Sequence, residues 1–480
     1  MPETMADRYE QATRALQQVG QDHVLRYYHE LDESQQDQLL AQIEGIDWPE
    51  VNRLIETHVR SKPEFTLPED IQPAPWYPHE PGSQYRAQYD KARAHGEDLI
   101  RQGKVAAFTV AGGQGTRLGW DAPKGTFPAT PIRQAPLFQV FAEYIQKVNA
   151  KYDTVVPWYI MTSPANDAPT RRFFEEHEHF GLDPQNIMFF PQSMMPAIDL
   201  DTGKVLLESR DSLALSPNGH GGSLKALHDS GALADMQQRG VEQISYIQVD
   251  NPNVKVIDPL FLGLHSLDEA QMSSKMLPKR DAMEKLGNFC LVDGRVTVIE
   301  YSDLPEELAR QTLENGELRF RAGSIAIHVM RRDFVEWVNA GDGFGLPFHR
   351  AEKKVPHLDL RTEQFVEPDE PNAVKLETFV FDALPMCEAS IIYETDRLEE
   401  FAPIKNADGP DCVDCPRSSK RLQTERAARW LEREGVIVAR DDEGRVAATI
   451  EIVHTTAIEA DDLRNVELPE SVEAGQELLL

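Results

Sequence analysis

The chain has 480 residues, an apolar share of 41% and a net charge of −31. That length exceeds one hydrophobic core, so a large domain with flanking pieces is expected, and no apolar run approaches the roughly 18 to 20 residues of a membrane-spanning helix. The acidic balance argues against a nucleic-acid binder, and it requires any phosphate site to gather its own cations or borrow a metal ion.

The first residues, Met1 to Leu16, carry early acidic charges and lack the apolar core and cleavage site of a secretory signal. Four cysteines, Cys290, Cys387, Cys412 and Cys415, make no disulfide framework in a chain of this length. Both features point to a cytoplasmic protein. Leu39, Leu40, Ile43 and Ile46, then Val51, Leu54 and Ile55, recur at helical spacing on either side of Pro49. The proline-rich stretch Pro68 to Gly82 closes that pattern, which predicts an N-terminal helical region over 1–103.

Val105 to Val110 reads as a buried strand feeding the glycine-rich run Ala111-Gly112-Gly113-Gln114-Gly115-Thr116-Arg117-Leu118-Gly119. Leu137, Phe138, Phe141, Tyr144, Ile145 and Val148 fall on one helical face, and Val155 to Met161 returns as a strand. A helix near Thr170 to His179, a strand Ile187 to Phe190, a helix around Ser223 to Arg239 and a strand Ile244 to Val249 continue the alternation. The series predicts an α/β fold with a Rossmann-like, mixed but mostly parallel sheet and helices on both faces. Phe289 to Val292 and Arg295 to Glu300, joined by Asp293-Gly294, read as a hairpin inserted in or beside that sheet. Beyond Pro403 the pattern turns polar, then helical over Gln423 to Glu434, then to short strands. The predicted division is therefore 1–103, a catalytic domain 104–402 and a small C-terminal domain 403–480.

Glycines let a backbone approach a phosphate closely and let successive N–H groups converge on it. The run is not G-x-x-x-x-G-K-[ST], since Lys124 precedes Gly125, and it is not G-x-G-x-x-G, since Leu118 stands where the third glycine belongs. The latter removes a dehydrogenase reading. Arg117 and Lys124 flank the loop and supply the local cations that the acidic composition demands. Taken alone, the loop is also compatible with a tight turn beside two surface cations.

Ala111 to Gly119 followed by Pro123-Lys124-Gly125 resembles the signature of the eukaryotic-type UDP-sugar pyrophosphorylases, above all the UDP-N-acetylhexosamine pyrophosphorylases. Pro157 to Ser163, Phe173 to Leu182, Phe189 to Gln192, Val249-Asp250-Asn251, Val298 to Ser302, Phe379 to Asp382 and Lys405 to Asp408 resemble that family in the same order. The resemblance implies a nucleotide-diphospho-sugar transferase fold of GT-A-like kind. The implied reaction joins UTP to a sugar 1-phosphate, giving a UDP-sugar and pyrophosphate by direct in-line attack, with Mg²⁺ as cofactor. It further implies that Ala111, Gly112, Gly113, Gln192, Gly219, His220 and Asp250 hold the nucleotide. Arg117, Lys124 and Lys405 would stabilise the phosphates, Gly221, Glu300 and Ser324 would meet the sugar, and Asp250 would hold Mg²⁺. Such a transfer rests on positioning and electrostatics and requires no covalent nucleophile from the protein. The Gln192 amide offers one acceptor and two donors, which suits the uracil edge.

Two positions depart from the N-acetylhexosamine pattern. His220 stands for asparagine in Gly-Asn-Gly-Gly and resembles the UDP-glucose branch, and Ser324 stands for asparagine in Ala-Gly-Asn-Ile. The products UDP-N-acetylglucosamine, UDP-N-acetylgalactosamine and UDP-glucose stay open on the sequence, as does a catalytically silent UDP-sugar-binding relative. Cys412-x-x-Cys415 is half of a zinc motif with no second half, and His177-Glu178-His179 lacks metalloprotease spacing. Oligomeric state leaves no mark in the sequence.

Overall fold

The computed structural model describes residues 4–62, 67–68, 70–341, 345–410 and 412–480. The parts of the predicted N-terminal region at 1–3, 63–66 and 69 lie outside the described residues. The chain divides into two compact units: 1–66, 192–226 and 338–382 form one, and 67–191, 227–337 and 383–480 form the other.

In the smaller unit, helices Met5–Gln18, Glu33–Glu44 and Trp48–Leu54 begin at Thr4, Asp32 and Asp47, each of whose side chains accepts a backbone N–H of the first turn. Pro49 starts a helix rather than breaking one, because it occupies the first turn, where its missing N–H costs nothing. Leu39, Leu40, Ile43, Val51, Leu54 and Ile55 bury into one core with Met195, Ile198, Leu213, Val374 and Leu376. Strand Ala373–Thr378 lies between Phe348–Lys353 and Ile198–Asp199, antiparallel to both.

The larger unit is built on a ten-stranded mixed sheet. Val105–Val110 lies parallel between Gln243–Gln248 and Trp158–Thr162, and Ile187–Pro191 continues the parallel run beyond Trp158–Thr162. On the other side of Gln243–Gln248 comes the antiparallel strand Ala322–Arg331, which also pairs with Met272–Pro278. The expected hairpin is Asn288–Val292 with Arg295–Ile299, and both turn residues, Asp293 (φ 50°) and Gly294 (φ 75°), are left-handed, as a tight two-residue turn requires. Ile71–Pro73 pairs with the first of these strands.

Three expected elements change. The strand anticipated from Val155 starts at Trp158: Pro157 brings no N–H to the ladder, and Val155 is half exposed. The single helix expected over Ser223 to Arg239 is two, Gly222–Asp229 and Ala232–Gln238, separated at Gly231 with φ 80°. The C-terminal helix runs Pro416–Arg433, seven residues earlier than its apolar pattern suggested, because Pro416 sits in its first turn and Cys415 caps it. It packs with the short parallel pairs Ile437–Val438 with Ser471–Val472 and Thr449–Glu451 with Glu477–Leu479, sharing a core of Trp430, Leu431, Val438, Ile450 and Leu463. Among the described residues no helix is long and apolar enough to cross a membrane.

Candidate active site

In the larger unit, the glycine run leaves the carboxyl end of Val105–Val110. Its start is tied to the next strand by Ala111 N–H donating to Met161 O at 2.8 Å. The loop then folds back on itself. Lys124 N–H donates to Gly113 O at 3.1 Å, and Gly115 N–H donates to Ala122 O at 3.0 Å. A side chain at Gly115 would sit 2.7 Å from the Trp120 backbone oxygen, whereas one at Gly113 would meet nothing within 4 Å. Gly115 therefore serves the turn, and Gly113 leaves backbone open to whatever approaches. Arg117 is exposed on the turn Thr116–Leu118.

Asp250 follows strand Gln243–Gln248, parallel neighbour of the strand that feeds the glycine run, so both come to the carboxyl edge of the sheet where ligands of open α/β sheets bind. Lys124 Nζ lies 3.1 Å from Asp250 Oδ2, with about 15% of each side chain exposed. Ile404 N–H donates to Asp250 O at 2.8 Å and delivers Lys405 to the same place. Burial alone would raise the Asp250 carboxyl, but the charges of Lys124 and then Lys405 outweigh it and hold the group below its ordinary range. Lys405 Nζ also lies 5.6 Å over the Phe401 ring, and its backbone N–H donates to Asp414 O at 2.6 Å. The Asp414 carboxyl shifts the other way, pushed up by burial against the pull of Lys405. Two candidates from distant parts of the sequence, Lys124 and Lys405, thus converge on a third.

Glu300 and Ser324 are brought to one place by Gly287. Ser324 N–H donates to Gly287 O at 2.8 Å, and a side chain on Gly287 would stand 3.4 Å from Glu300 Oε1. Both residues are half-buried at the ends of antiparallel strands.

The remaining candidates belong to the smaller unit. Gln192 is buried. Gly219 takes φ 82°, and a side chain there would collide with Thr378 O at 2.4 Å, so the turn 218–221 lies directly on the backbone at Thr378 and Phe379. Thr378 N–H donates to Asn218 O at 2.7 Å and Gly221 N–H to Thr378 O at 2.8 Å. His220 stacks on Phe379, ring centroids 5.3 Å apart, and accepts the Val380 N–H on Nδ1 at 3.1 Å. Burial, then the nearby His349, lowers its pKa to about 4. The imidazole is therefore neutral at pH 7 with its proton on Nε2, a hydrogen-bond donor. The Phe379 to Asp382 motif is thus the bed on which His220 lies.

Sequence reading missed Asn166. It is fully buried, its Oδ1 accepts the Ser163 N–H at 2.7 Å, and its Nδ2 donates to Ala111 O at 3.0 Å and Gly113 O at 3.2 Å. It ties the glycine run to the loop after strand Trp158–Thr162. An asparagine at a helix start, here before Asp167–Glu176, was the available signal. Cys412 Sγ donates to Ala407 O and Cys415 Sγ to Cys412 O, and among the described residues no three His, Cys, Asp or Glu side chains gather as a metal cluster.

A magnesium ion commonly takes one or two protein carboxylates and completes its shell with water and substrate phosphates. A single anionic Asp250 beside two lysines fits that mode.

A family described as UTP–glucose-1-phosphate uridylyltransferase matches residues 69–441. The UDP-N-acetylhexosamine pyrophosphorylase-like protein 1 of Mus musculus is 38% identical over 437 residues, covering 88% of this chain and 85% of that protein. The UDP-N-acetylglucosamine pyrophosphorylase of Saccharomyces cerevisiae is 32% identical over 439 residues, covering 88% and 91%. The crystal structure of uridine diphosphate N-acetylglucosamine pyrophosphorylase from Trypanosoma brucei, bound to an inhibitor, superposes with a TM-score of 0.83 at 25% identity, covering 100% of this chain and 99% of that one. Loop, strand-end acid and converging lysines stand within a match of this extent, and the chain belongs to the UDP-sugar pyrophosphorylase family, nucleotidyltransferases that form a UDP-sugar and pyrophosphate from UTP and a sugar 1-phosphate.

Proposed function

We propose that the sugar substrate is N-acetylglucosamine 1-phosphate and that transfer takes place at the Lys124–Asp250–Lys405 cluster. The observation that carries the site is the 3.1 Å contact of Lys124 with Asp250 at the sheet edge that also bears the glycine run. The names of the relatives support the sugar.

In this reading Ala111, Gly112 and Gly113 offer backbone to the nucleotide, and Gln192 and Gly219 read the uracil. His220 donates through Nε2. A phosphate oxygen of the sugar 1-phosphate attacks the α-phosphorus of UTP in line, the bond from that phosphorus to the β-phosphate bridging oxygen breaks, and pyrophosphate leaves. Lys124 and Arg117 spread their charge over the transferring group and the departing pyrophosphate, and Lys405 holds the incoming sugar phosphate. Asp250 would hold Mg²⁺, which when bound neutralises phosphate charge. Glu300, Ser324 and Gly221 orient the sugar. The four free cysteines are in keeping with a reducing, cytoplasmic setting.

A second substrate, glucose 1-phosphate, is favoured by His220 and Ser324, the two departures from the N-acetylhexosamine pattern. Pyrophosphate release from UTP and Mg²⁺, compared across N-acetylglucosamine, N-acetylgalactosamine and glucose 1-phosphates, decides between them. The highest kcat/KM with N-acetylglucosamine 1-phosphate is the expected result. A preference for glucose 1-phosphate would overturn the sugar, and UDP-sugar binding with no turnover on any of the three would make the chain a silent binding protein.

A further inference from the structure

Building on the roles proposed for Asp250 and Lys405, we infer that Asn251 is the positioning residue that sets Lys405 against Asp250. Asn251 follows Asp250 directly and is buried. Its amide reaches across to the segment that returns toward Lys405. Nδ2 donates to Glu400 O at 2.6 Å, and Oδ1 accepts the Ala402 N–H at 2.9 Å. A carbonyl on one side and an N–H on the other fix which way the amide points.

These two bonds straddle Phe401 and use donor and acceptor together, so the segment docks in one register. The 2.8 Å bond from Ile404 N–H to Asp250 O continues that register to the residue before Lys405. A slip of one residue along an extended segment would carry Lys405 about 3.3 Å away, as far as the whole Lys124–Asp250 contact. The surroundings hold the clamp firm: fully buried Lys275 binds the Glu400 carboxylate at 2.5 and 2.7 Å, Thr395 Oγ1 donates to it at 2.6 Å, and Ser419 Oγ donates to Ala402 O at 2.6 Å. Of these side chains only Asn251 is bonded in sequence to the acid of the site.

A residue that merely stabilised the fold would depress activity whatever stands at 405. One that acts by placing Lys405 loses its effect once that lysine is gone. The test is a double-mutant cycle of Asn251→Ala with Lys405→Ala in the full chain. It reads kcat/KM for the sugar 1-phosphate at saturating UTP and Mg²⁺, below the melting temperature of every variant. Asn251→Asp, which keeps the acceptor for Ala402 and loses the donor for Glu400, serves should the alanine variant fail to fold. Leu463→Ala, which opens a cavity in the C-terminal core, controls for stability, since it removes buried packing without touching any of these bonds.

The expected result is a loss from either Asn251 variant on the order of tenfold to a hundredfold, the scale of ångström-level misplacement. UTP affinity should be retained, and less than about a twofold further loss should appear in the Lys405→Ala background. Leu463→Ala should lower the melting temperature and leave kcat/KM in place. Multiplying losses would overturn the proposal, as would full activity in both Asn251 variants. Full activity in Lys405→Ala alone would instead remove the role given to Lys405, and the inference with it.

Discussion

Lys124→Met tests the electrostatic account at its centre. Methionine retains the apolar stem and removes only the charge. In the free enzyme that charge faces Asp250 at 3.1 Å, a gross attraction of about 5 kcal/mol at an effective dielectric near 20, much of it offset by desolvation of two largely buried groups. The pair therefore adds little net stability. Its worth lies in the transfer step, where charge grows on the phosphates while the lysine is already in place. Losing one such preorganised group costs roughly 3 to 4 kcal/mol, or about a hundredfold to a thousandfold in kcat. Pre-steady-state pyrophosphate release gives the chemical step, and titration calorimetry with UTP gives ground-state affinity. The expected result is a fall in kcat far larger than the loss of UTP affinity. Equal losses in both would reduce Lys124 to a binding residue. The same substitution removes the strongest charge holding the Asp250 carboxyl low, so any acid limb that Asp250 sets in the pH profile should move to higher pH.

Other outcomes follow from the same geometry. Gly113→Ala should leave the melting temperature unchanged, since the added methyl meets nothing within 4 Å, yet weaken UTP binding by about tenfold or more as the phosphate approach closes; unaltered UTP affinity would detach the loop from the nucleotide. EDTA should abolish turnover and Mg²⁺ restore it, whereas metal-independent turnover would take the metal from Asp250. Ser324→Asn should raise N-acetylglucosamine 1-phosphate relative to glucose 1-phosphate, by no more than a few kcal/mol in relative kcat/KM; an unmoved ratio would place Ser324 away from the sugar. His220, His265 and His454 have pKa values lowered to about 4, 3 and 3, burial being the main cause in each. Between pH 6.5 and about 4 the unfolded chain binds protons that these folded sites refuse, so stability should fall as pH drops below 6.5. Urea melts at stepped pH check this, and constant stability from pH 6.5 to 5 would contradict it.

Local features of the fold were legible in the sequence because local rules set them. Asp293-Gly294 announced its hairpin through a turn that needs two left-handed residues, and Val105 to Val110 announced a buried strand through a short run of apolar and β-forming residues. Gly231 was different, since a lone glycine in a helical pattern is often tolerated, and only its φ of 80° reveals two helices. The sharing of one core by Leu39, Ile43 and Val374 could not be read at all, because periodicity gives the apolar face of an element and not its partner. The site follows the same division. Glycine spacing and the flanking cations marked the loop, but the meeting of Lys124, Asp250 and Lys405 depends on the bond between Ile404 and Asp250, far apart in sequence, and no spacing rule reaches that distance. The resemblance supplied what spacing could not. Asn166 was passed over, and Asn251 was read only within Val249-Asp250-Asn251 with no role of its own, because an asparagine that binds backbone looks, in sequence, like any other turn residue.

Labelled pyrophosphate exchange into UTP separates direct transfer of the uridylyl group to N-acetylglucosamine 1-phosphate from transfer through the enzyme. With enzyme, UTP and Mg²⁺ but no sugar phosphate, no exchange should occur, and pyrophosphate release should begin only when N-acetylglucosamine 1-phosphate is added. Exchange in the absence of the sugar phosphate would reveal a covalent uridylyl-enzyme, and no release after its addition would contradict the proposed reaction itself.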